Sequence, residues 1–233
     1  MNKSVLILSD MHMPFSHPDI IAFLKAVKRK YKPDKVICIG DEFDFHAISM
    51  HPTDPDLLSP SDELKTARNR IKPVFGLFPK VDVVESNHGS LVYRRAKVDG
   101  LPRYLFKNYR DVLGAPKGWK WHNDLTIRLS NGASCYFVHS KGADILKVSQ
   151  AMGMSVVCGH HHEKFEVRYW ANSLGLYFGM IVGCLIDDDS LAFAYNKINL
   201  KRPLIGCGII MDGIPQLIPL IMKKGGRWSG VLP

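Results

Sequence analysis

Residues 35–44 have the sequence KVICIGDEFD, an apolar run that ends abruptly on a glycine followed by two carboxylates, Asp41 and Glu42. A continuous apolar run of this length is typical of a parallel strand that is covered on both faces. Gly40 allows the backbone to turn sharply, so that Asp41 leaves the carboxyl end of the strand. Open α/β folds bind their ligands at that end of the sheet. The pattern therefore predicts a functional edge, although two ordinary surface acids on a solvated turn would give the same sequence.

Five short apolar runs are predicted to be strands, and each one leads directly into acidic, imidazole or amide side chains. These side chains are Asp10 and His12, then Asp41 and Asp44, Asn87 and His88, His139, and finally His160 and His162. A single histidine or asparagine of this kind is usually a structural or turn residue. Turns do not require imidazole, however, so five such exits at one edge of a sheet indicate ligands. Asp, His and Asn ligands without thiolates suit divalent manganese, iron, nickel, zinc or cobalt.

The segments between these runs predict an α/β order of elements. Apolar residues at helical spacing predict a helix over residues 18–31, which would join the first two strands in a right-handed β-α-β unit. Ser61 is placed to cap a second helix from about residue 62, and Pro73 predicts that this helix ends or kinks there. A shorter helix is predicted near residues 142–151.

The second half of the chain is predicted to be mainly β-structure. Asn131-Gly132 lies between two segments of alternating pattern, residues 125–129 and 134–138, and therefore predicts a β-hairpin. Further strands are predicted at residues 165–170, 176–186 and 191–197, and a last hairpin near 204–221 is predicted to turn at Asp212-Gly213. Residues 1–233 are expected to form one domain, with a motif-bearing core at about 4–186 and C-terminal strands at 187–221.

The amino-acid composition limits which partners and which cellular compartment are expected. The net charge of +9 and the pI near 9.3 favour an anionic partner, although a solubility charge on solvated faces also explains them. Five widely spaced cysteines in apolar segments indicate reduced thiols, which favours a cytoplasmic protein. Asp10 interrupts the first apolar segment before a secretion signal is complete, and residues 176–186 are too short to span a membrane. We therefore expect no membrane partner.

Residues 91–116 are rich in basic and aromatic side chains. Arginines and lysines alternate there with tyrosines and a phenylalanine. Such a segment can hold single-stranded nucleic acid by charge and base stacking. It also fits an amphipathic helical cover over the sheet, which is the interpretation we favour. Arg94 and Arg95 in this segment are candidate substrate-binding residues.

Five blocks of the sequence, across residues 4–186, resemble in their order the motifs of the calcineurin-like metallophosphoesterases. They are Asp10-Met11-His12, Gly40-Asp41-Glu42-Phe43-Asp44, Asn87-His88, the single histidine His139, and Gly159-His160-His161-His162. The resemblance implies a four-layer α/β/β/α sandwich with mixed sheets, and a metal site at the carboxyl ends of its strands.

The resemblance also implies two divalent metal ions, manganese first, with iron, zinc, nickel or cobalt as alternatives. One ion would be held by Asp10, His12, Asp41 and His162, and the other by Asp41, Asn87, His139 and His160, so that Asp41 bridges them. Two such ions bind phosphate oxygens and lower the pKa of a shared water that attacks phosphorus in line. They also offset the charge that builds on the phosphoryl oxygens.

Residues beside the ligands have supporting roles in the same interpretation. With Asp41, His88 is the catalytic candidate: by resemblance it stabilises the transition state or protonates the leaving alkoxide, and its alternative is a hydrogen bond to a ligand. Asp44 is expected to orient a ligand from outside the metal shell, and His161 to point away from it. Many family members carry an acid after Asn-His, whereas Gly89 follows here. Another carboxylate or a backbone carbonyl must therefore orient His88.

The implied function is hydrolysis of a phosphate ester. The basic charge and the segment at 93–110 favour phosphodiester bonds of nucleotides or nucleic acid. The alternative is a phosphomonoesterase, either a nucleotidase or a protein phosphatase, although Phe45-His46 replaces the Arg-Gly that many protein phosphatases of the family carry there. A non-catalytic scaffold and a nucleic-acid-binding module are further alternatives. All seven ligand positions are filled, which disfavours the scaffold.

Overall fold

The computed structural model describes residues 3–50, 54, 56–193 and 201–233, which form two mixed β-sheets with helices outside them. Its strands are β1 (Ser4–Leu8), β2 (Lys35–Cys38), β3 (Val81–Val84), β4 (Trp119–His122), β5 (Leu125–Arg128), β6 (Ser134–Val138), β7 (Ser155–Cys158), β8 (Phe165–Asn172), β9 (Gly175–Val182), β10 (Gly206–Met211) and β11 (Ile214–Pro219). Its helices are α1 (Ile20–Tyr31), α2 (Pro60–Leu77), α3 (Leu91–Val98), α4 (Tyr109–Leu113) and α5 (Ile145–Met152). Short 3-10 turns lie at His46–Ile48 and Arg103–Leu105. The α/β class predicted from the sequence is confirmed.

The first sheet is built around the strand that precedes Gly40. Its order is β11-β10-β1-β2-β3-β4, and the four strands from β1 to β4 are parallel neighbours. Leu6 pairs with Val36, and Ile37 pairs with Asp82. Because these strands run in one direction, their carboxyl ends meet at one edge of the sheet. The loops that carry the first three motif blocks leave from that edge.

The second sheet delivers the remaining two blocks. Its order is β5-β6-β7-β9-β8, in which β6, β7 and β9 are parallel and the two outer strands are antiparallel. His139 follows β6 and Gly159 follows β7, and Gly159 N donates to the carbonyl of His139 at 3.1 Å. The last residues of β6 and β7, Val138 and Cys158, are themselves paired. Both histidine blocks therefore leave the second sheet side by side.

Three apolar clusters separate four layers. The largest lies between the first sheet and the helices α1 and α2, where Leu6 packs with Leu24. A second lies between the two sheets and contains Ile7 and Phe137. A third packs Ile145 of α5 against the outer face of the second sheet. Because successive strand residues face opposite sides, Leu6 and Ile7 belong to different clusters. The predicted four-layer α/β/β/α sandwich is confirmed.

The start of α2 differs from its prediction. The helix begins at Pro60, and the capping side chain is Ser59, whose Oγ accepts a hydrogen bond from Asp62 N at 3.3 Å. The prediction that Ser61 caps the helix is therefore wrong. Pro60 stands at the start of the helix, where a missing N–H costs no hydrogen bond. With Pro60 as the first helical residue, the N-cap position falls on Ser59.

Of the two outcomes predicted at Pro73, an end or a kink of α2, the structure excludes the end. The helix contains Pro73 and continues to Leu77. Proline removes one hydrogen bond from a helix interior and is unfavourable there. Ile71 and Val74 on either side are fully buried in the core, and their burial holds the helix together across the proline.

The β-structure of the second half agrees with its prediction in the hairpins and differs in two places. The hairpins β5-β6 and β10-β11 are confirmed, the latter turning at Asp212-Gly213. Strand β4 has no counterpart among the predicted strands, and it extends the first sheet beside β3. Residues 191–193 form a helical turn, so the strand predicted at 191–197 is wrong for them, and residues 194–197 lie outside the described residues.

No described helix combines the length and the apolar composition that crossing a bilayer requires. The single-domain organisation expected from the sequence, with its boundaries at about 186 and 221, stays a prediction.

The C-terminal segment is fastened to the start of α1. The carboxylate of Asp19 accepts hydrogen bonds from Arg227 Nε at 2.8 Å and from Trp228 N at 2.9 Å. The ring of Trp228 packs edge-on against Phe23, with centroids 5.8 Å apart. The hydrogen bonds from Arg227 hold the pKa of Asp19 well below its ordinary value of 3.8.

We predict that Asp19→Asn lowers the free energy of unfolding by about 1 kcal/mol at pH 7, the size of a screened charge-assisted hydrogen bond. Because the pKa of Asp19 is lowered in the folded chain, its contribution is complete above the ordinary value of 3.8 and declines as pH falls below it. Thermal melts of wild type and variant should therefore differ more at pH 7 than at pH 3. Asp99→Asn, at an exposed carboxylate, is the control. Equal differences at both pH values would contradict the prediction.

Candidate metal centre

Four predicted ligands have backbones in the left-handed region that non-glycine residues rarely adopt. They are Asp10 (φ 50°), His12 (φ 46°), Asp41 (φ 53°) and His160 (φ 68°). Each such residue costs roughly 1–3 kcal/mol and persists only where its surroundings fix it. Backbone hydrogen bonds fix the first two loops to each other, from Asp10 N to Gly40 O at 3.1 Å and from His12 N to Asp41 O at 2.9 Å.

Two glycines allow these loops to approach one another closely. Gly40 has φ +93°, and a Cβ at this position would lie 2.4 Å from Ser86 Cβ. A Cβ on Gly159 would lie 2.0 Å from Ser9 Oγ and 2.6 Å from Asp10 Oδ2. Any side chain at either position would therefore push two ligand loops apart.

The first group of candidate ligands contains Asp10, His12 and His162. Their ligand atoms lie within 4.8 Å of one another. Asp10 Oδ1 is 3.2 Å from His162 Nε2 and 3.7 Å from His12 Nε2. The other oxygen of Asp10 accepts hydrogen bonds from the Ser9 hydroxyl and, at 3.0 Å, from His160 N. One carboxylate oxygen and two imidazole nitrogens are thus directed at a common point.

The second group contains Asp41, His139 and His160, again with ligand atoms within 4.8 Å of one another. His139 Nδ1 lies 2.7 Å from the backbone carbonyl of Ile39 and donates to it. In the neutral ring Nε2 then carries a lone pair. That nitrogen is 2.7 Å from Asn87 Oδ1 and 3.2 Å from Asp41 Oδ2. A neutral His139 would therefore direct a lone pair at two acceptor oxygens.

Asp41 lies between the two groups. Its Oδ2 is 3.6 Å from His12 Nε2 on one side and 3.2 Å from His139 Nε2 on the other. Its Oδ1 accepts a hydrogen bond from His88 N at 3.2 Å, and its own backbone N donates to Ser86 Oγ at 3.0 Å. The carboxylate is buried and fixed on its backbone side, so both groups can share it.

These donors fit divalent metal ions. His12 Nε2 is buried and has no hydrogen-bond partner among the described residues, which is costly for a polar atom unless a cation or proton satisfies it. His139 Nε2 faces the acceptor oxygens of Asn87 and Asp41, so a proton or a cation is needed there as well. Imidazole nitrogens, carboxylates and one amide oxygen suit borderline first-row ions. Both groups therefore have the composition and the spacing of metal sites.

Charges in the centre shift the pKa of its members. Burial alone would raise the pKa of Asp10, but the neighbouring imidazoles of His12 and His162 outweigh it and hold that pKa well below its usual range. For Asp41 the charge of His139 likewise overcomes burial and lowers the pKa. Burial would lower the pKa of His139, but Asp41 raises it to about 9. Both carboxylates are therefore ionised, as metal ligands must be.

Asp44 supports His12 from outside the two groups. Its Oδ1 lies 2.5 Å from His12 Nδ1. This hydrogen bond fixes the imidazole so that Nε2 faces Asp10 and Asp41. Asp44 also belongs with His12 and His88 to a third group of possible ligand atoms within 4.8 Å. Because it already occupies His12 Nδ1, an orienting role explains its position without a further ion.

Position 89 is a glycine instead of an acidic residue, and the backbone carbonyl of Asp44 orients His88 in its place. His88 Nδ1 donates to this carbonyl, which leaves Nε2 as the free nitrogen of the ring. Nε2 lies 4.0 Å from Asp41 Oδ2, and about a quarter of the side chain, 26%, remains exposed. His88 is thus oriented toward the centre while one nitrogen stays open to a bound molecule.

A family model described as calcineurin-like phosphoesterase matches residues 3–172. That match covers more than half of the chain and all five motif blocks. This chain belongs to the calcineurin-like phosphoesterase family. The family is typically dependent on two metal ions, and the His and Asp groups of this member are suited to metal binding. The identity of the metal and the roles of the single residues stay predictions.

Solved structures similar to this phosphoesterase share little sequence with it. An archaeal phosphodiesterase is 13% identical, with 89% of this chain and 92% of that chain covered and a TM-score of 0.45. The E. coli phosphoesterase YfcE is 12% identical, with 89% and 87% covered and a TM-score of 0.44. A Vps29 single mutant from Entamoeba histolytica is 13% identical, with 91% and 96% covered and a TM-score of 0.42. A comparison with curated proteins finds no significant match.

The two arginines predicted to bind substrate lie on α3 of this phosphoesterase. Arg94 Nη2 donates to the backbone carbonyl of Asn87 at 3.0 Å, so this guanidinium lies against a ligand loop. Arg95 Nε donates to the carbonyl of Ile48 at 2.8 Å and its Nη2 binds the carbonyl of Ser49. Arg95 therefore fastens the loop after Asp44. Substrate binding by either arginine stays a prediction.

Three residues of the centre are not recognisable from the sequence pattern. Ser9 and Ser86 hold Asp10 and Asp41 through their hydroxyls, yet serine at a strand end has no distinctive signal. Phe193 packs edge-on against His12 and His162, with ring centroids 5.6 and 6.3 Å apart. It lies in a distant segment predicted as a strand, and only the tertiary fold brings it to the imidazoles.

We predict that Asp44→Asn weakens binding of Mn²⁺ about 10- to 100-fold, because the neutral amide cannot support the imidazole of His12 as the carboxylate does. Metal affinity would be measured by titration in competition with a chromogenic chelator, which does not depend on turnover. Asp99→Asn is the matched control. Unchanged affinity in Asp44→Asn would exclude the orienting role.

Proposed function

We propose that this phosphoesterase hydrolyses phosphodiester bonds of nucleotides or nucleic acid with two bound divalent metal ions, of which Mn²⁺ is the first candidate and iron, zinc, nickel or cobalt are alternatives. The observation that carries the proposal is the position of Asp41, whose Oδ2 lies 3.6 Å from His12 Nε2 and 3.2 Å from His139 Nε2. A carboxylate between two imidazole-bearing groups suits a bridging ligand.

In this proposal each metal ion is held by four of the predicted ligands. One set is Asp10, His12, Asp41 and His162, and the other is Asp41, Asn87, His139 and His160. Two such ions, when bound, would polarise the phosphate and supply an activated water for attack on phosphorus. The protein contributes fixed ligand directions, since the left-handed backbones and the Ser9 and Ser86 hydroxyls limit how far the loops can move.

His88 is the proposed acid that protonates the leaving oxygen. Its Nδ1 is occupied by the carbonyl of Asp44, so any proton that it gives to a substrate comes from Nε2. Partial exposure of the side chain leaves room for a phosphate ester beside it. A positioned acid of this kind contributes about 10²- to 10⁴-fold to the rate.

Several features support the preference for a nucleotide or nucleic-acid substrate. The net charge of +9 attracts phosphates, and Arg94 lies against the loop of Asn87.

The five free cysteines are all buried, which supports the proposed cytoplasmic location. Hydrolysis of phosphomonoesters is the alternative within the same chemistry.

We predict Mn²⁺-dependent hydrolysis of bis-p-nitrophenyl phosphate that is faster than hydrolysis of p-nitrophenyl phosphate. Asp41→Asn should lose both metal and turnover, since the shared ligand is gone. His88→Ala should keep its metal content and lose about 10²- to 10⁴-fold in kcat, because only the acid is removed. Asp99→Asn is the control, and metal content is measured in every sample.

The other outcomes separate the alternatives. Turnover of the monoester alone would replace the diesterase by a phosphomonoesterase. Bound metal without turnover of either compound would favour a non-catalytic scaffold. Salt-sensitive binding of nucleic acid that survives Asp41→Asn, again without turnover, would favour a binding module.

A further inference from the structure

A cavity lies behind the loop that carries Asn87 and His88. Its volume is about 210 Å³. Its walls come from the ends of β3 and β4 and from the segment between Gly89 and Val112. None of the seven predicted metal ligands lines it. The cavity is therefore a separate space and not the metal centre itself.

The cavity has aromatic walls. Tyr93, Phe106, Tyr109 and Trp121 line it together with Val84 and Val112. Tyr109 and Trp121 pack edge to face, with ring centroids 5.9 Å apart. Ligand sites for drug-sized molecules have volumes of about 300–1,000 Å³. A cavity below that range that is lined by rings suits one planar ring system rather than a whole large ligand.

Two residues in the wall of the cavity, Trp121 and Glu42, carry polar groups that suit the edge of such a ring. Trp121 Nε1 is buried and has no hydrogen-bond partner among the described residues. An indole N–H is only a donor, so an acceptor brought by a ligand would satisfy it. Glu42 presents a buried carboxyl group, held by Tyr109 Oη at 3.2 Å. A donor and a carboxyl group among apolar rings match the mixed acceptors and donors on the edge of a heterocycle.

Cationic side chains stand at the mouth of the cavity. Arg103 and Lys107 are exposed, and both contribute to the lining. The guanidinium of Arg103 lies over the ring of Tyr93, with Cζ 5.4 Å from the centroid. Both charges are therefore available to an anionic group that is attached to a ring inside.

The cavity and the metal centre share a wall. Glu42 directly follows Asp41, and Ser86 and Gly89 flank Asn87-His88. Ser86 Oγ joins the two loops, because it accepts from Asp41 N at 3.0 Å and from Gly89 N at 3.2 Å. A molecule in the cavity would thus contact the residues that hold the bridging carboxylate and the candidate acid.

We propose that this cavity binds the nucleobase of a nucleotide. The ring stacks among the aromatic walls, its edge accepts from Trp121, and the charges of Arg103 and Lys107 attract the phosphate of the nucleotide. Binding of the base does not depend on the proposed function. The role of the bound base does rest on it, since the base can belong to the substrate or to a separate effector nucleotide.

The first experiment measures binding by calorimetry, without turnover, on the full chain as purified. Adenosine should bind and ribose should not, because ribose lacks the ring. Trp121→Phe keeps an aromatic ring and removes the N–H, so it should weaken adenosine binding about five- to tenfold, as expected for one hydrogen bond. Trp170→Phe is the matched control, since Nε1 of Trp170, on β8 of the second sheet, donates instead to Ser149 Oγ of α5 at 2.8 Å.

A second variant tests the mouth of the cavity independently. The methylene phosphonate analogue of adenosine 5′-monophosphate resists hydrolysis and should bind more tightly than adenosine to the wild type. Arg103→Gln, at an exposed position, should reduce this ratio of affinities severalfold. The proposal is overturned if adenosine and ribose bind alike, or if Trp121→Phe binds adenosine as the wild type does.

Kinetics distinguish the two sources of the base and keep this proposal separate from the enzymatic one. With thymidine 5′-p-nitrophenyl phosphate as the diester, adenosine should raise KM alone if the cavity holds the base of the substrate. A change in kcat would identify an effector site. A protein that binds adenosine through Trp121 and hydrolyses nothing would retain the cavity site and lose the proposed function. An active protein that does not bind adenosine would retain the proposed function and lose the cavity site.

Discussion

Burial of two carboxylates, Asp10 and Asp41, is the constraint on which the arrangement of this phosphoesterase depends. An ionised carboxylate taken out of water costs several kcal/mol unless charges and hydrogen bonds compensate it. Here the compensation comes from His12, His139 and His162, whose nitrogens lie 3.2–3.7 Å from the carboxylate oxygens. Each imidazole is in turn limited by its own neighbours, such as the carbonyl of Ile39 at His139. The candidate site is therefore a network in which few members can move alone.

This network also explains why the fold needs two sheets. The loops after β1, β2 and β3 deliver Asp10, Asp41 and Asn87, whereas the loops after β6 and β7 deliver the later histidines. The hydrogen bond between His139 Nδ1 and Ile39 O joins an exit of one sheet to an exit of the other. The apolar cluster between the sheets fixes their separation, and side chains in it are almost completely buried. Packing in the core and geometry in the site are thus set by the same two layers.

Much of the fold was predictable because its signals are local. Apolar runs followed by Gly40 or Gly159, and the Asn131-Gly132 turn, mark strands and their ends within a few residues. The pairing of β4 with β3 is not local, and no pattern near Trp119 indicates which sheet it joins. The start of α2 was misplaced because Ser59 and Ser61 flank Pro60 and both are plausible caps by type. In the site, residue types with distinctive chemistry were recognisable, whereas Ser9, Ser86 and Phe193 act through positions that only the folded chain defines.

Strand β1 is central in the first sheet, between β2 on one side and β10 on the other. Leu6 pairs with Val36, which is close in sequence, but also with Ile209, more than two hundred residues away. During synthesis, residues 4–8 can pair with β2 soon after both strands are made, yet their other edge has no partner until β10 is made. An open strand edge is a template for pairing with other chains. The order of synthesis therefore leaves this edge exposed while the residues between β2 and β10 are made, and the first sheet becomes complete only after the β10-β11 hairpin has left the exit tunnel.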